Sequence, residues 1–151
     1  MGAEFVIRRA ARQDVPALVR LLNLLFSIEA DFTFDENRQR KGLHLLLESA
    51  TNCVLVAEID RQVVGMCSGQ LTISTAEGGV ALLVEDVVVE KKWQGNGIGR
   101  SLMDNLARWA AEKGALRMQL LADSDNAEAL QFYERLGWQR TRLICLRKYH
   151  S

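Results

Sequence analysis

The chain has 151 residues, 48% hydrophobic and 25% charged, which suits one soluble globular domain with a real core. Its 19 Lys and Arg balance 19 Asp and Glu, so charge gives no case for nucleic acid or an anionic membrane as partner. The start, MGAEFVIRRA, lacks the apolar run of a secretory signal, carries Val6 where a myristoylation motif wants Ser or Thr, and no later stretch is apolar enough to span a membrane. A cytoplasmic protein is the expectation.

Residues Glu4 to Arg8 alternate and predict a first strand. Asp14 is placed to cap a helix with Pro16 in its first turn, and Val15, Leu18, Val19, Leu22, Leu25 and Phe26 follow at helical spacing. Residues Glu29 to Asn37 are loop-like. A second helix is expected over Glu36 to Glu48, with Leu43, Leu46 and Leu47 inward, although Gly42 weakens it by about 1 kcal/mol relative to Ala. Cys53 to Ile59 and Gln62 to Thr72 read as strands joined at Asp60-Arg61, a poor pair for a primed turn. Gly78-Gly79 breaks the chain, and the near-continuous apolar run Val80 to Val89 suits a central strand.

A third helix carries Ile98, Leu102, Leu106, Trp109 and Ala110 on its inner stripe and closes at Gly114. Leu116 to Leu121 is a strand. Asp125 and Glu128 fit a capping box for a last helix through Leu136, which Gly137 ends. Trp138 to Lys148 is expected as a final strand. The order is β-α-α-β-β-β-α-β-α-β, one mixed α/β domain over 1–151. Cys53, Cys67 and Cys145 sit in apolar runs and read as buried thiols. With only His44 and His150 beside them, a zinc site or a Cys–His pair is not expected, and His44 reads as a surface residue.

The segment EDVVVEKKWQGNGIGRSLM, Glu85 to Met103, places Gly95, Gly97 and Gly99 between a strand and a helix. Glycines let backbone approach a ligand closely, and free N–H groups with a positive dipole end make a helix start an anion seat. Lys91, Lys92 and Arg100 flank it. Walker A and G-x-G-x-x-G patterns both need a glycine where Arg100 stands, so both fail.

Gln94-Gly95-Asn96-Gly97-Ile98-Gly99 instead resembles the [Q/R]-x-x-G-x-[G/A] motif of the GNAT N-acetyltransferase superfamily. Asn126 to Trp138, NAEALQFYERLGW, resembles that family's N-x-x-A-x-x-[FL]-Y-x-[KR]-x-G-[FW] motif. The likeness covers the whole length, with its specific part from Val80 to Trp138; Lys91 departs from the proline that many members carry. The resemblance implies a central mixed, mostly antiparallel, twisted sheet flanked by helices, and transfer of an acetyl group from acetyl-CoA to a primary amine by direct attack, without a metal.

It also implies site residues. Main-chain amides of Gln94, Gly95, Asn96, Gly97, Ile98, Gly99, Arg100 and Ser101 would hold the CoA pyrophosphate. Val87, Val88 and Val89 would lie along pantetheine, with main-chain groups of Val87 and Val89 pairing to it like an added strand. Asn126 would touch the CoA arm, or simply cap its helix. Tyr133 would protonate the departing thiolate, which a phenol with a pKa near 10 is able to do. Glu85, sharing numerical parity with Val87 and Val89, is the expected base, directly or through water; Asp86 has the opposite parity, and a bulge would undo that count.

Phe26, Glu29, Asp31, Phe32, Phe34, Asp35 and Glu36 supply acidic and aromatic groups that suit a cationic amine, or else a solvated loop over the core. A small-molecule amine is the expected acceptor. A protein amine, or a non-catalytic acyl-CoA-binding module, stays open. Members of the family often dimerise, so a homodimer pairing through Leu143 to Tyr149 is a further expectation.

Overall fold

Neighbouring strands joined by short connections pair antiparallel, and that rule organises most of this sheet. The computed structural model describes residues 4–29 and 32–150. The chain divides into two compact units, Met1–Leu120 and Leu121–Ser151. In the first, strands β1 (Val6–Arg9), β2 (Asn52–Ile59), β3 (Gln62–Ser74), β4 (Gly79–Val89) and β5 (Arg117–Leu120) lie side by side in chain order. The first three pairings are antiparallel; β5 joins β4 in parallel, after a crossover through a helix. Helices α1 (Val15–Ile28) and α2 (Glu36–Glu48) precede β2, and α3 (Ile98–Glu112) makes the crossover. The mixed, mostly antiparallel sheet and its helices are the expected α/β class. No helix among the described residues is long and apolar enough to cross a membrane.

Each sheet face has its own apolar layer. On one, Leu18, Val19, Leu21 and Leu22 of α1 and Leu43 of α2 pack with Val54, Val56, Met66 and Val88. On the other, α3 lies close because β3 is thin beneath it. A Cβ on Gly69 would stand 2.9 Å from Leu82 Cδ1 and 3.1 Å from Leu106 Cδ1, and one on Gly65 would meet Leu102 at 3.4 Å. The Cys67 thiol donates to the Leu102 carbonyl at 3.7 Å on this side. The predicted stripe of α3 holds, with Ile98, Leu102, Leu106 and Ala110 buried; Trp109 is part-buried, under the Arg9 guanidinium.

The Asp60-Arg61 pair does form a tight hairpin. Both residues take positive φ, 48° and 65°, and Ile59 pairs with Gln62. The twist of the flanking strands demands a primed turn and overrides the poor local preference. Asp14 precedes α1 but does not cap it with its side chain. Its carboxylate accepts the Ala11 N–H at 2.7 Å and two bonds from the Arg8 guanidinium, which also reaches Glu58 on β2. Those Arg8 bonds hold the Asp14 carboxyl below its ordinary range.

A carboxylate with a lowered folded-state pKa stabilises the fold above its unfolded value, and that contribution fades as pH falls. Asp14→Asn is therefore expected to cost about 2–3 kcal/mol near neutral pH, because it leaves Arg8 short of its buried partner. In urea unfolding, the gap to wild type should narrow below about pH 4. A gap that stays constant with pH would rule out the ionic origin.

In the second unit, α4 (Ala127–Arg135) begins at Asn126, whose Oδ1 accepts the Ala129 N–H at 3.1 Å. The capping residue is thus Asn126 and not Asp125: that carbonyl already sits three residues before the amide it must meet. The expected strand over Trp138 to Lys148 is not formed, since residues 138–150 take part in no ladder among the described residues. Leu143, Ile144 and Leu146 are about four-fifths exposed or more. Alternation specifies the faces of a strand, but only a hydrogen-bonding neighbour makes it one. Cys145 is likewise exposed, whereas Cys53 and Cys67 are buried as expected.

Candidate functional site

The site grows from the C-terminal half of β4 into the start of α3. The β4–β5 ladder runs from Ala81–Arg117 to Val84–Leu120 and stops, so residues 85–89 have no partner in β5. That stretch of strand edge is open to an extended ligand with amides of its own. The Val88 side chain is buried in the α1/α2 layer and Val88 pairs with Met66 on β3, so this residue serves the core and the sheet. A short 3-10 turn, Lys91–Trp93, then leads into the glycine loop.

Gly95 and Gly97 both take left-handed backbone, at φ 84° and 82°, and a Cβ on either would meet nothing within 4 Å. Glycine is required there for conformation, and the space above it is open. Gly97 is the N-cap of α3, with no side chain to satisfy the helix start. The Ser101 N–H is donated to the Gly97 carbonyl at 3.0 Å. The amides lacking an intrahelical acceptor are therefore those of Ile98, Gly99 and Arg100, and Ser101 drops out of the expected main-chain set. Ile98 is buried by its side chain and can offer only its N–H. Two amide side chains brace the loop: Gln94 Nε2 donates to the Val89 carbonyl at 3.0 Å, and Asn96 Nδ2 to the Trp93 carbonyl at 2.9 Å. Open glycines, free helix-start amides and a strand edge without a β5 partner, its Val89 carbonyl held by Gln94, fit the pyrophosphate and pantetheine of CoA.

The strand itself departs from the sequence count. Val88 pairs with Met66, but Glu85 pairs with Ser68, so three steps on β4 answer two on β3. The extra residue makes a bulge, and Asp86 within it takes φ 57°. Numerical parity therefore reverses across residues 85–88. Leu82 packs on the α3 face over Gly69, whereas Val88, also even, packs on the α1/α2 face. Val89 lies near Leu102 on the α3 face beside Gly65, while Glu85 stands opposite Ser68, which shares its face with Met66. Glu85 thus lies across the sheet from the Val89 side chain, contrary to the expectation from parity.

Glu85 is exposed; Asp86 is part-buried. Burial, then the charges of Glu85 and Glu29, push the Asp86 carboxyl up to about 7. The buried Ser68 hydroxyl donates to the Glu85 carbonyl at 3.0 Å and stands 3.5 Å from Asp86 Oδ2, pulling the same carboxyl slightly down. Sequence reasoning passed over Asp86 as a candidate because a bulge leaves no mark on an apolar run; the adjacent pair Glu85-Asp86 inside that run was the available signal.

In the second unit, Tyr133 lies edge-on to Phe132 and Trp138, with ring centroids 5.2 and 6.0 Å away. Asn126 has the capping role described above. Of the residues suggested for an acceptor pocket, Asp31 lies outside the described residues, as do Met1 and Gly2 of the myristoylation test. The Phe26 and Phe32 rings meet at a tilt of 43° with centroids 5.5 Å apart, Phe34 packs on the core, Asp35 caps α2 through the Arg38 N–H, and Glu36 pairs with Arg40. Five of these residues thus have local structural work. Glu29, just past α1, is the one that acts on Asp86.

The profile of the Acetyltransferase (GNAT) family matches residues 18–138, spanning both the glycine loop and α4. The chain belongs to the GNAT acetyltransferase family. Among relatives, a streptothricin acetyltransferase of Streptomyces lavendulae is 35% identical over 74 residues, 49% of this chain and 39% of that protein. An uncharacterized N-acetyltransferase of Archaeoglobus fulgidus is 28% identical over 129 residues, 84% of this chain and 88% of its own. The chain therefore spans less than half of the Streptomyces protein and most of the archaeal one. The aminoglycoside N-acetyltransferase AAC(6')-Iy, solved with CoA, has a TM-score of 0.86 at 14% identity, covering 100% of this chain and 98% of that one, a likeness of fold. As a GNAT member, the chain has its α3 glycine loop where the family's motif falls.

Proposed function

We propose that the chain is an acetyl-CoA-dependent N-acetyltransferase, acting as one domain over 1–151 on a small-molecule primary amine. The observation that carries this is the left-handed glycine start of α3 following the β4 edge beyond its β5 ladder. The amides of Ile98, Gly99 and Arg100, with those of Gly95, Asn96 and Gly97, hold the pyrophosphate, while the Gln94 N–H is already donated to the Lys91 carbonyl; Val87 and Val89 hold pantetheine; Asn126 supports the CoA arm while capping α4. The amine nitrogen attacks the thioester carbonyl, the C–N bond forms and the C–S bond breaks. Tyr133 gives its proton to the thiolate, and a β4 carboxylate takes the proton that the ammonium must lose first. Holding amine and thioester together supplies most of the rate. Direct attack is favoured over an acetyl-cysteine route at Cys53 and Cys67, since burial pushes both thiols up and keeps them protonated. The streptothricin and aminoglycoside enzymes among its likenesses support a small amine as acceptor.

Thiol release from acetyl-CoA against a panel of small amines and amine-bearing peptides tests this. Turnover with a small amine is expected. Turnover with peptides alone would replace the acceptor class. Acetyl-CoA binding without turnover on any amine would make the chain an acyl-CoA-binding module.

A further inference from the structure

Two adjacent carboxylates on β4 compete for the proton of the acceptor amine, and their surroundings differ. Glu85 is exposed, on a regular ladder position opposite Ser68. Asp86 sits in the bulge, at a positive φ that costs a non-glycine residue strain. The bulge turns its carboxylate toward the buried Ser68 hydroxyl on β3. It lies immediately before the strand edge at residues 87–89 that the reading above gives to pantetheine, the thioester-bearing arm.

We propose that Asp86, rather than Glu85, takes the proton from the acceptor ammonium, with Ser68 positioning its carboxylate. The assignment rests on the acetyltransferase reading above. In the step, R–NH3+ and the Asp86 carboxylate become R–NH2 and the neutral acid, whose proton then passes to solvent. The freed lone pair attacks the thioester carbon, the C–S bond breaks, and the thiolate takes a proton from the Tyr133 hydroxyl. The phenolate is restored by the second nitrogen proton, which leaves as the amide forms. One proton is released overall, so the sequence balances.

The surroundings suit that task. The charged groups that act on Asp86 are both acidic: Glu85 beside it on β4, and Glu29 reaching it from the end of α1. An ammonium is favoured in such a field, and it lowers the cost of ionising Asp86 when it binds. Burial and those two charges hold the free carboxyl near 7, where a base accepts a proton readily and gives it up again. The acid form predominates below that value. The proton-accepting form, and with it kcat/KM, therefore falls as pH drops through about 7.

The test is the pH profile of kcat/KM from about pH 5.5 to about pH 9, using an amine that the wild type acetylates. Asp86→Asn is expected to lower kcat/KM by about 100-fold at neutral pH and to erase the acid limb. Its acetyl-CoA affinity should stay within about twofold of wild type, because asparagine tolerates positive φ and the loop at Gly97 is untouched. Glu85→Gln should keep the limb and move it to lower pH, since a neighbouring negative charge is gone. Ser68→Ala should move it to higher pH, since the hydroxyl favours the charged form.

A limb that survives Asp86→Asn and vanishes in Glu85→Gln would overturn the assignment in favour of Glu85. A limb that survives both would overturn it with the acetyltransferase reading intact. A wild type that turns over no amine would sink that reading, and the assignment with it.

Discussion

Gly97→Glu is expected to raise the dissociation constant for acetyl-CoA by at least about 100-fold, near 2.7 kcal/mol. Gly97 caps α3 with left-handed backbone, and a Cβ there would touch nothing within 4 Å. The protein has room for the side chain, at a backbone cost of about 1–2 kcal/mol for leaving glycine at positive φ. The new carboxylate would lie over the amides of Ile98, Gly99 and Arg100, at the positive end of the helix dipole. That is the seat proposed for the pyrophosphate, so the variant fills it with its own anion. Gly97→Ala separates the two effects. It carries the same backbone strain without the charge, and its affinity should fall no more than about tenfold, the size of that strain. Isothermal titration calorimetry on both variants, with circular dichroism to confirm the fold, makes the comparison. Unimpaired binding by Gly97→Glu would remove the phosphate seat from α3.

Tyr133→Phe is expected to lower kcat by about 100-fold with acetyl-CoA affinity within about twofold of wild type. The substitution deletes one hydroxyl and keeps the ring. The edge-on contacts with Phe132 and Trp138 are made by ring atoms, so α4 and the turn after it should persist. What is lost, on the proposed role, is the proton for the leaving thiolate. An acid that acts only as the C–S bond breaks lowers kcat and kcat/KM together and leaves ground-state binding alone. Steady-state kinetics by thiol release, beside a direct acetyl-CoA binding measurement, distinguish that pattern. A lowered affinity with kcat unchanged would make Tyr133 a binding residue, and unchanged values of both would leave it a core aromatic.

Much of this was legible in the residues, and particular elements show why. Helix α2 was expected over the bounds it has, because Leu43, Leu46 and Leu47 recur at helical spacing; that Asp35 caps its start was seen only in the structure. The glycines at 95 and 97 announced a left-handed loop, since few other residues take that backbone at low cost. Motifs of that kind depend on neighbours in sequence, and so they read directly. The close approach of α3 over Gly65 and Gly69 was not legible: a glycine inside a strand looks the same whether a helix or water lies above it. Asp125 and Asn126 differ by one position, and both precede a helix plausibly; the hydrogen bond to Ala129 decides between them.

The amino-acid order by itself determined which segments are helices, where the sheet's main strands run, and that a glycine-rich loop opens α3. All of these follow from local backbone preference and from the period of apolar residues along one segment. Tertiary structure alone decided three things: which face of β4 each residue meets, which of two neighbouring carboxylates is enclosed, and whether the C-terminal alternation becomes a strand. Each depends on a partner distant in sequence. The bulge exists only in the pairing of β4 with β3, the raised proton affinity of Asp86 needs its burial and the charge of Glu29 from the end of α1, and residues 138–150 have no ladder among the described residues to make them one.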